Sequence, residues 1–180
     1  ERSGVMADLL AGAIRREAYV ALLVNLRAIY AALETALDQG NTSSSLAPLF
    51  RSAALEADLR TFGTVAQAPV PATLDYVQRL QALRGANAHR LWAHAYVRYL
   101  GDLHGGQILS RQVRGLFAVD DGTRFYEFGD DARVRALRAD FRSQLATLGL
   151  DTAQADAVVA EAVWAFGAHC RIFEQIQAMN

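Results

Sequence analysis

Apolar residues recur at intervals of three and four along most of the chain, which is the spacing that an amphipathic α-helix requires. The longest such run predicts a helix over residues 15–39. The residues between its apolar positions are mostly good helix formers, such as alanine, arginine and glutamate. The apolar face of this helix is formed by Leu22, Leu23, Leu26, Ile29, Tyr30, Leu33 and Leu37.

The same spacing predicts further helices in the rest of the chain. Asp151 with Gln154 resembles a capping box at the start of the last one. Neither a sequence repeat nor a second domain is visible, so we predict an all-α fold in a single domain spanning residues 1–180. The connections are expected to be a loop, a turn and an extended aromatic connector, at residues 40–45, 120–123 and 124–128. The further helices are predicted over residues 1–12, 51–62, 73–83, 86–117, 130–148 and 151–179.

Residues 92–112 differ from the other helical segments because three glycines interrupt the apolar pattern. A glycine inside a helix costs roughly 1 kcal/mol relative to alanine. It also lets the helix bend and lets a flat molecule approach the backbone. Arg98 and Asp102, four residues apart, can meet beside this glycine face. The pattern predicts a pocket for a planar ligand on a helix kinked by Gly101, Gly105 and Gly106.

Composition and charge argue against several classes of protein. The 180 residues carry a formal net charge of −1, which gives no strong field for binding nucleic acid. Cys170 is the only cysteine, so no disulfide can form within the chain, and we expect a reducing, cytoplasmic environment. No apolar run approaches the ~20 residues of a membrane span. No phosphate-binding glycine loop or dinucleotide fingerprint is present, so a redox reaction would draw its electrons from a separate donor.

The four histidines lack the spacing of common metal-binding motifs. The absence of His-Glu-x-x-His and Glu-x-x-His argues against a zinc peptidase and a carboxylate di-iron bundle. His94 is interpreted as a hydrogen-bonded core histidine. For His104, which lies among the glycines, a solvent-exposed and a pocket-facing position both stay open. We expect Cys170 to be a buried, inert thiol.

Several other side chains have both a structural and a chemical interpretation. Asp102 is either a surface aspartate paired with Arg98, worth ~0.5 kcal/mol, or a carboxylate that orders water beside a bound ligand. Arg138 and Arg142, one helical turn apart, can clamp a pair of carboxylates. Phe166 and Phe173 of the last helix are interpreted as core residues. Three tyrosines fit either the water network or the core, namely Tyr30, Tyr96 and Tyr99.

The glycine-rich segment resembles a known family. Residues 93–107 read A-H-A-Y-V-R-Y-L-G-D-L-H-G-G-Q, which is similar to the haem oxygenase signature A-H-x-Y-x-R-Y-L-G-D-L-S-G-G-Q. Residues 26–34 and 53–59 resemble two earlier helices of that family. Residues 138–145 (R-A-D-F-R-S-Q-L) and 165–174 (A-F-G-A-H-C-R-I-F-E) resemble its last two helices. The resemblance covers nearly the whole chain.

The resemblance implies an all-helical haem oxygenase-like fold that holds haem between a proximal helix and a bent, glycine-kinked distal helix. It implies that haem is both substrate and cofactor and is degraded with O2 to biliverdin, iron and carbon monoxide. Electrons would come from an external ferredoxin- or reductase-type donor. The implied catalytic residues, centred on a distal aspartate, are Asp102, Arg98 and Tyr30. The implied contacts to the porphyrin face, pocket wall and propionates are Gly101, Gly105, Gly106, Tyr96, Phe166, Arg138 and Arg142.

Two departures from the family pattern qualify these expectations. His104 stands where the family has serine. The family's axial histidine has no counterpart in the chain, and the resemblance places it about one helical turn before Glu1. We therefore expect the chain to lack the first part of the proximal helix; otherwise Glu1 would sit against the proximal face of the haem. The alternatives are a non-catalytic haem-sequestering or haem-transfer protein on the same fold, and a helical domain with another ligand.

Overall fold

The computed structural model describes residues 4–40, 43–63 and 67–179, and every regular element in these ranges is helical. Short 3₁₀ turns lie at Ala47–Leu49, Gly85–Arg90 and Arg124–Tyr126, and a π-helical turn lies at Tyr96–Leu100. The prediction of an all-α fold is confirmed. The α-helices are α1 (Gly4–Leu10), α2 (Arg16–Gln39), α3 (Ser43–Leu46), α4 (Ser52–Phe62), α5 (Pro71–Ala82), α6 (Leu91–Ala95), α7 (Gly101–Phe117), α8 (Asp131–Ala146) and α9 (Thr152–Ala178).

The core is built around α2, which is buried on all sides in its first half. Residues 18–26 are buried without interruption, whereas a surface helix buries only one stripe. Helices α1, α4, α5, α6 and α9 all pack against α2. By length and composition alone α2 could cross a membrane, but 72% of its most apolar 18-residue stretch is buried inside the protein. That degree of burial is typical of the core helix of a folded domain.

One predicted loop contains a helical turn. The segment 40–45, expected to be irregular, includes the start of α3. This turn ends at Leu46, which has no exposed surface. The burial of Leu46 anchors a serine-rich stretch whose local sequence favours a loop.

The aromatic connector 124–128 is not extended as predicted, because it contains the 3₁₀ turn Arg124–Tyr126. The fully buried carboxylate of Asp58 on α4 accepts hydrogen bonds from the backbone N–H groups of Arg124, at 2.9 Å, and Phe125, at 2.8 Å. These two hydrogen bonds hold the turn in place, although Asp58 lies more than sixty residues earlier in the sequence. A local sequence pattern carries no information about this contact.

The predicted helix over residues 86–117 is divided into four parts. A 3₁₀ turn leads into α6, the π-helical turn Tyr96–Leu100 follows, and α7 begins at Gly101. A π-helical turn holds one residue more than an α-helical turn and is a common cause of a bend. The departure from α-helical geometry thus directly precedes Gly101. The kink at the glycines themselves stays a prediction.

Helix α9, near the end of the chain, packs against α1, near its start. The predicted capping box is confirmed at its start, where Asp151 Oδ1 accepts from the backbone N–H of Gln154 at 2.8 Å. Near its other end α9 packs closely on α1. Gly4 has a φ of +63°, and a Cβ at this position would lie 2.8 Å from the backbone oxygen of Phe173. This close approach makes α1 and α9 adjoining walls of one cavity.

Candidate functional site

A cavity of about 230 Å³ lies between α1, α2, the π-helical turn, α7 and α9. Most of its wall is apolar. Arg98, Asp102 and His169 are the main polar groups that line it, and Cys170 lies on its rim. A largely apolar cavity with a few convergent polar groups is typical of small-molecule and cofactor sites. The apolar wall includes Met6, Leu10, Leu22, Leu26, Leu109 and Phe173.

Two of the three glycines in residues 101–106 open onto this cavity. A Cβ at Gly101 would meet nothing within 4 Å, and a Cβ at Gly105 would only touch Leu109 at 4.0 Å. Gly106 faces elsewhere, since a Cβ there would lie 3.0 Å from the backbone oxygen of Tyr126. Gly106 therefore lets α7 pack closely on the Arg124–Tyr126 turn, and its contact with a ligand stays a prediction.

Tyr30, Arg98 and Asp102 form a closed hydrogen-bonded group in the cavity wall. The hydroxyl of Tyr30 donates to Asp102 Oδ2. Arg98 donates from Nε to the Tyr30 oxygen at 3.1 Å and from Nη2 to Asp102 Oδ1 at 3.0 Å. Only about a tenth of each of the Arg98 and Asp102 side chains is exposed. The structure thus brings the three residues together and excludes the interpretation of Asp102 as a surface aspartate.

Burial and charge act in opposite directions on this group. Burial raises the pKa of Asp102, while Arg98 and the hydrogen bond from Tyr30 partly oppose the rise. Burial alone would lower the pKa of Arg98, but Tyr30 and Asp102 outweigh burial, and the net effect raises it. Arg98 therefore stays charged, and Asp102 is a carboxyl group that takes up a proton more readily than a surface aspartate.

His169 is the histidine that lines the cavity, and sequence reasoning assigned it no role. Its side chain is buried, and neither ring nitrogen has a hydrogen-bond partner among the described residues. An unpaired buried polar group costs about 1–3 kcal/mol. Helical spacing could have indicated that His169 is buried, because it follows Ala165 by four residues and precedes Ile172 by three. Both of these residues lie on the buried face of α9.

The family model described as Heme oxygenase matches residues 1–175. The chain belongs to the haem oxygenase family. Heme oxygenase 1 from Nostoc sp. is 32% identical over 188 residues, which cover 98% of this chain and 79% of that protein. Heme oxygenase from Rhodella violacea is 30% identical over 189 residues, with 99% of this chain and 80% of that protein covered.

Solved structures of the family have the same fold. Heme oxygenase from Leptospira interrogans aligns with a TM-score of 0.89 and 28% identity, over 97% of this chain and 91% of that chain. Heme oxygenase-2 from Synechocystis sp. PCC 6803, solved in complex with heme and NO, aligns with a TM-score of 0.90 and 30% identity. That alignment covers 99% of this chain and 79% of the other.

His94, within the segment that carries the haem oxygenase signature, is a core residue, as predicted. Its Nδ1 lies 2.8 Å from the Tyr76 hydroxyl and its Nε2 lies 3.2 Å from Glu161 Oε1. Burial alone would raise the pKa of Glu161, but Arg79 and His94 outweigh burial and lower it to about 2. This cluster attaches α9 to α5 and α6.

The remaining residues that the haem oxygenase resemblance points to are dispersed. Phe166 lines the cavity mouth, whereas Tyr96 is exposed and does not line the cavity. Arg138 is half-buried and donates to the backbone oxygen of Leu103, and Arg142 is exposed on α8. Neither arginine lines the cavity. Glu1 lies outside the described residues.

Two further expectations concern Cys170 on α9 and His104 within the haem oxygenase signature. Cys170 is exposed, so the prediction of a buried thiol is wrong. It follows His169 directly, and one residue along a helix turns the side chain by about 100°, which carries Cys170 from the buried face to the cavity rim. His104 is exposed, the first of its two predicted positions; its Nδ1 lies 2.6 Å from the backbone oxygen of Leu100, and it does not line the cavity.

Proposed function

We propose that this protein is a haem oxygenase that opens haem to biliverdin and releases iron and carbon monoxide. The observation that carries the proposal is the buried carboxyl group of Asp102, held by Arg98 and Tyr30 in the wall of an apolar cavity beside two bare glycines. Family membership supports it, as does the similarity to a relative solved with heme and NO. A haem-sequestering protein without turnover is not favoured by these relatives.

The lining of the cavity suits a flat, largely apolar tetrapyrrole. Gly101 and Gly105 leave the backbone of α7 open to a planar ring, and Phe166 and Leu10 offer apolar contacts at the mouth. No cluster of three metal-ligating side chains exists among the described residues, whereas haem brings four nitrogen ligands of its own. We further infer that Arg138 and Arg142 pair with the propionates, and that Gly106 and Tyr96 support the pocket indirectly.

In this proposal haem supplies both the iron that activates O2 and the ring that is oxidised. Asp102 then exchanges a proton with water in the cavity, since its raised pKa favours such exchange. Arg98 and Tyr30 fix the orientation of its two carboxyl oxygens. The apolar side chains of α1, α2 and α9 keep bulk water away from the reacting ring.

Three further parts of the proposal concern the electron donor, the cellular compartment and the iron ligand. Electrons come from an external ferredoxin- or reductase-type donor, and the reaction takes place in the cytoplasm. The iron ligand is a histidine, as the family resemblance implies. The described part of α1 reads G-V-M-A-D-L-L and has no histidine, so added imidazole can stand in for that ligand in an experiment.

A haemin titration followed by a reductant in air tests the proposal, with and without added imidazole. We expect a saturable absorption band that decays to the spectrum of biliverdin. Asp102→Asn should bind haemin within a few-fold of wild type but form biliverdin about 100-fold more slowly, because the proton-handling group is lost. Asp140→Asn, which alters an exposed aspartate of α8, is the matched control. Tight binding without decay under either condition would instead indicate a sequestering protein.

A further inference from the structure

His169 is the buried polar side chain of the cavity that the Tyr30–Arg98–Asp102 group does not use. It is 4% exposed, and both ring nitrogens lack a hydrogen-bond partner within the described ranges. The rings of Tyr76, at 4.9 Å, and Phe173, at 5.9 Å between centroids, hold the imidazole in place. The side chain lines the cavity and is almost completely shielded from solvent.

The imidazole is neutral in these surroundings. Burial is the main reason why the pKa of His169 lies well below its usual value, and the charge of Arg98 lowers it further. A neutral imidazole has one N–H donor and one acceptor nitrogen. Since protein groups satisfy neither, both are available to a molecule inside the cavity.

A water molecule is the occupant that best satisfies such a group. Buried waters make about three hydrogen bonds to otherwise unsatisfied polar groups and need roughly 10–15 Å³, which the cavity of about 230 Å³ provides. Arg98 and Asp102 line the same cavity and add a donor and an acceptor. We propose that His169 is a positioning residue that holds a water molecule in this cavity together with Arg98 and Asp102.

The consequence for haem chemistry rests on the proposed function, whereas the water site itself does not. A water held between His169 and Asp102 keeps an exchangeable proton next to the carboxyl group. It also offers a hydrogen bond to a small ligand bound beside it. His169 thus acts through the water and contacts neither the ring nor its iron.

The water site is tested first without haem, by oxygen-17 magnetic relaxation dispersion, which counts long-lived internal waters. His169→Leu should lose at least one such water, and His169→Asn, which keeps a donor and an acceptor, should retain it. His89→Gln is the control, because His89 lies in the 3₁₀ turn before α6 and does not line the cavity. Circular dichroism checks that each variant is folded. An unchanged water count in a folded His169→Leu protein would overturn the proposal.

The second test measures the carbon monoxide stretching band of the ferrous complex. Loss of a hydrogen bond to the ligand should move this band to higher frequency in His169→Leu, and His169→Asn should return it towards the wild-type position. Identical bands in wild type and His169→Leu would overturn the role towards the bound ligand. A low-spin ferric complex that becomes high-spin in His169→Leu would make His169 an iron ligand and equally overturn the water assignment. If no variant binds haemin, the proposed function fails, and the relaxation measurement alone decides the water site.

Discussion

Asp102 lies in an apolar wall, and its two partners determine how it behaves there. Removing an ionised carboxylate from water costs several kcal/mol, which an opposite charge and hydrogen bonds offset only in part. Arg98 supplies the charge and the Tyr30 hydroxyl supplies a hydrogen bond. The balance leaves the pKa of Asp102 above that of an exposed aspartate. Proton exchange with water therefore takes place at a pH closer to neutrality.

Tyr30→Phe tests this balance at the level of one hydroxyl group. We expect the pKa of Asp102 to rise further, because the carboxylate loses a donor, and the acid limb of the pH–rate profile to move to higher pH. Biliverdin formation should slow by roughly 10- to 100-fold, the equivalent of one hydrogen bond to a charged group. Tyr99→Phe is the control, since the buried Tyr99 hydroxyl has no partner in the described part of the chain. Equal rates in the two variants would contradict the prediction.

Residue spacing predicted part of this site. The four-residue separation of Arg98 and Asp102 was sufficient to pair them, because both lie on one continuous helical segment. Tyr30 is 72 residues from Asp102, so spacing left it either in the water network or in the core, and the family resemblance favoured the network. His169 was missed because local spacing shows that a residue is buried but not which cavity it faces.

At the level of elements, the glycines of α7 have two different functions. Gly101 leaves space, since nothing in the fold lies within 4 Å of its missing Cβ. Gly106 permits contact, since its missing Cβ would lie 3.0 Å from the backbone of Tyr126. The same residue type thus leaves open space at one position and permits close packing of the fold at the other.

Alanine substitutions should separate these two functions. Gly101→Ala is expected to raise the free energy of unfolding by about 1 kcal/mol, through helix propensity, and to weaken haemin binding because the new methyl group faces the cavity. Gly106→Ala is expected to lower the free energy of unfolding by about 1 kcal/mol or more, because backbone atoms must move. Denaturant unfolding and haemin titration measure both effects. Destabilisation by Gly101→Ala would contradict the assignment.

The helices were predictable because their apolar residues repeat with the helical period over many turns. The π-helical turn at Tyr96–Leu100 was not predictable, because the same residue types occur in α-helical and in π-helical turns. The turn Arg124–Tyr126 was missed because Asp58, on another helix, supplies the hydrogen bonds that hold it. Elements fixed by tertiary contacts therefore require the structure.

For the whole molecule, two buried histidines link stability to pH. Burial is the main cause that lowers the pKa values of both His94 and His169, which keeps both rings neutral in the folded state. In the unfolded chain each histidine takes up a proton below about pH 6.5. Their contribution to stability is therefore present above about pH 6.5 and is lost as the pH falls below it.

The free energy of unfolding should consequently fall between about pH 6.5 and pH 5. His169→Leu should reduce this pH dependence by up to about 1.4 kcal/mol per pH unit, the value for one proton. The raised pKa values of Asp58 and Asp102 make the free energy of unfolding change with pH in the opposite direction. This contribution is the same in wild type and His169→Leu, so it cancels in their difference. Urea unfolding at several pH values gives the measurement. Parallel curves for wild type and His169→Leu would show that the ring is protonated in the folded protein.

The position of α9 also has a consequence for biosynthesis. Its side chains form one wall of the cavity, and Gln177 binds Asp8 of α1 across 169 positions of sequence, at 2.8 Å. While the ribosome is still elongating the chain, α2, α4 and α5 are free to assemble, but the cavity lined by Leu22 and Leu26 lacks its wall from α9. The binding chamber is therefore completed after translation of the last helix, and a nascent chain that stalls earlier leaves an apolar surface open to chaperones.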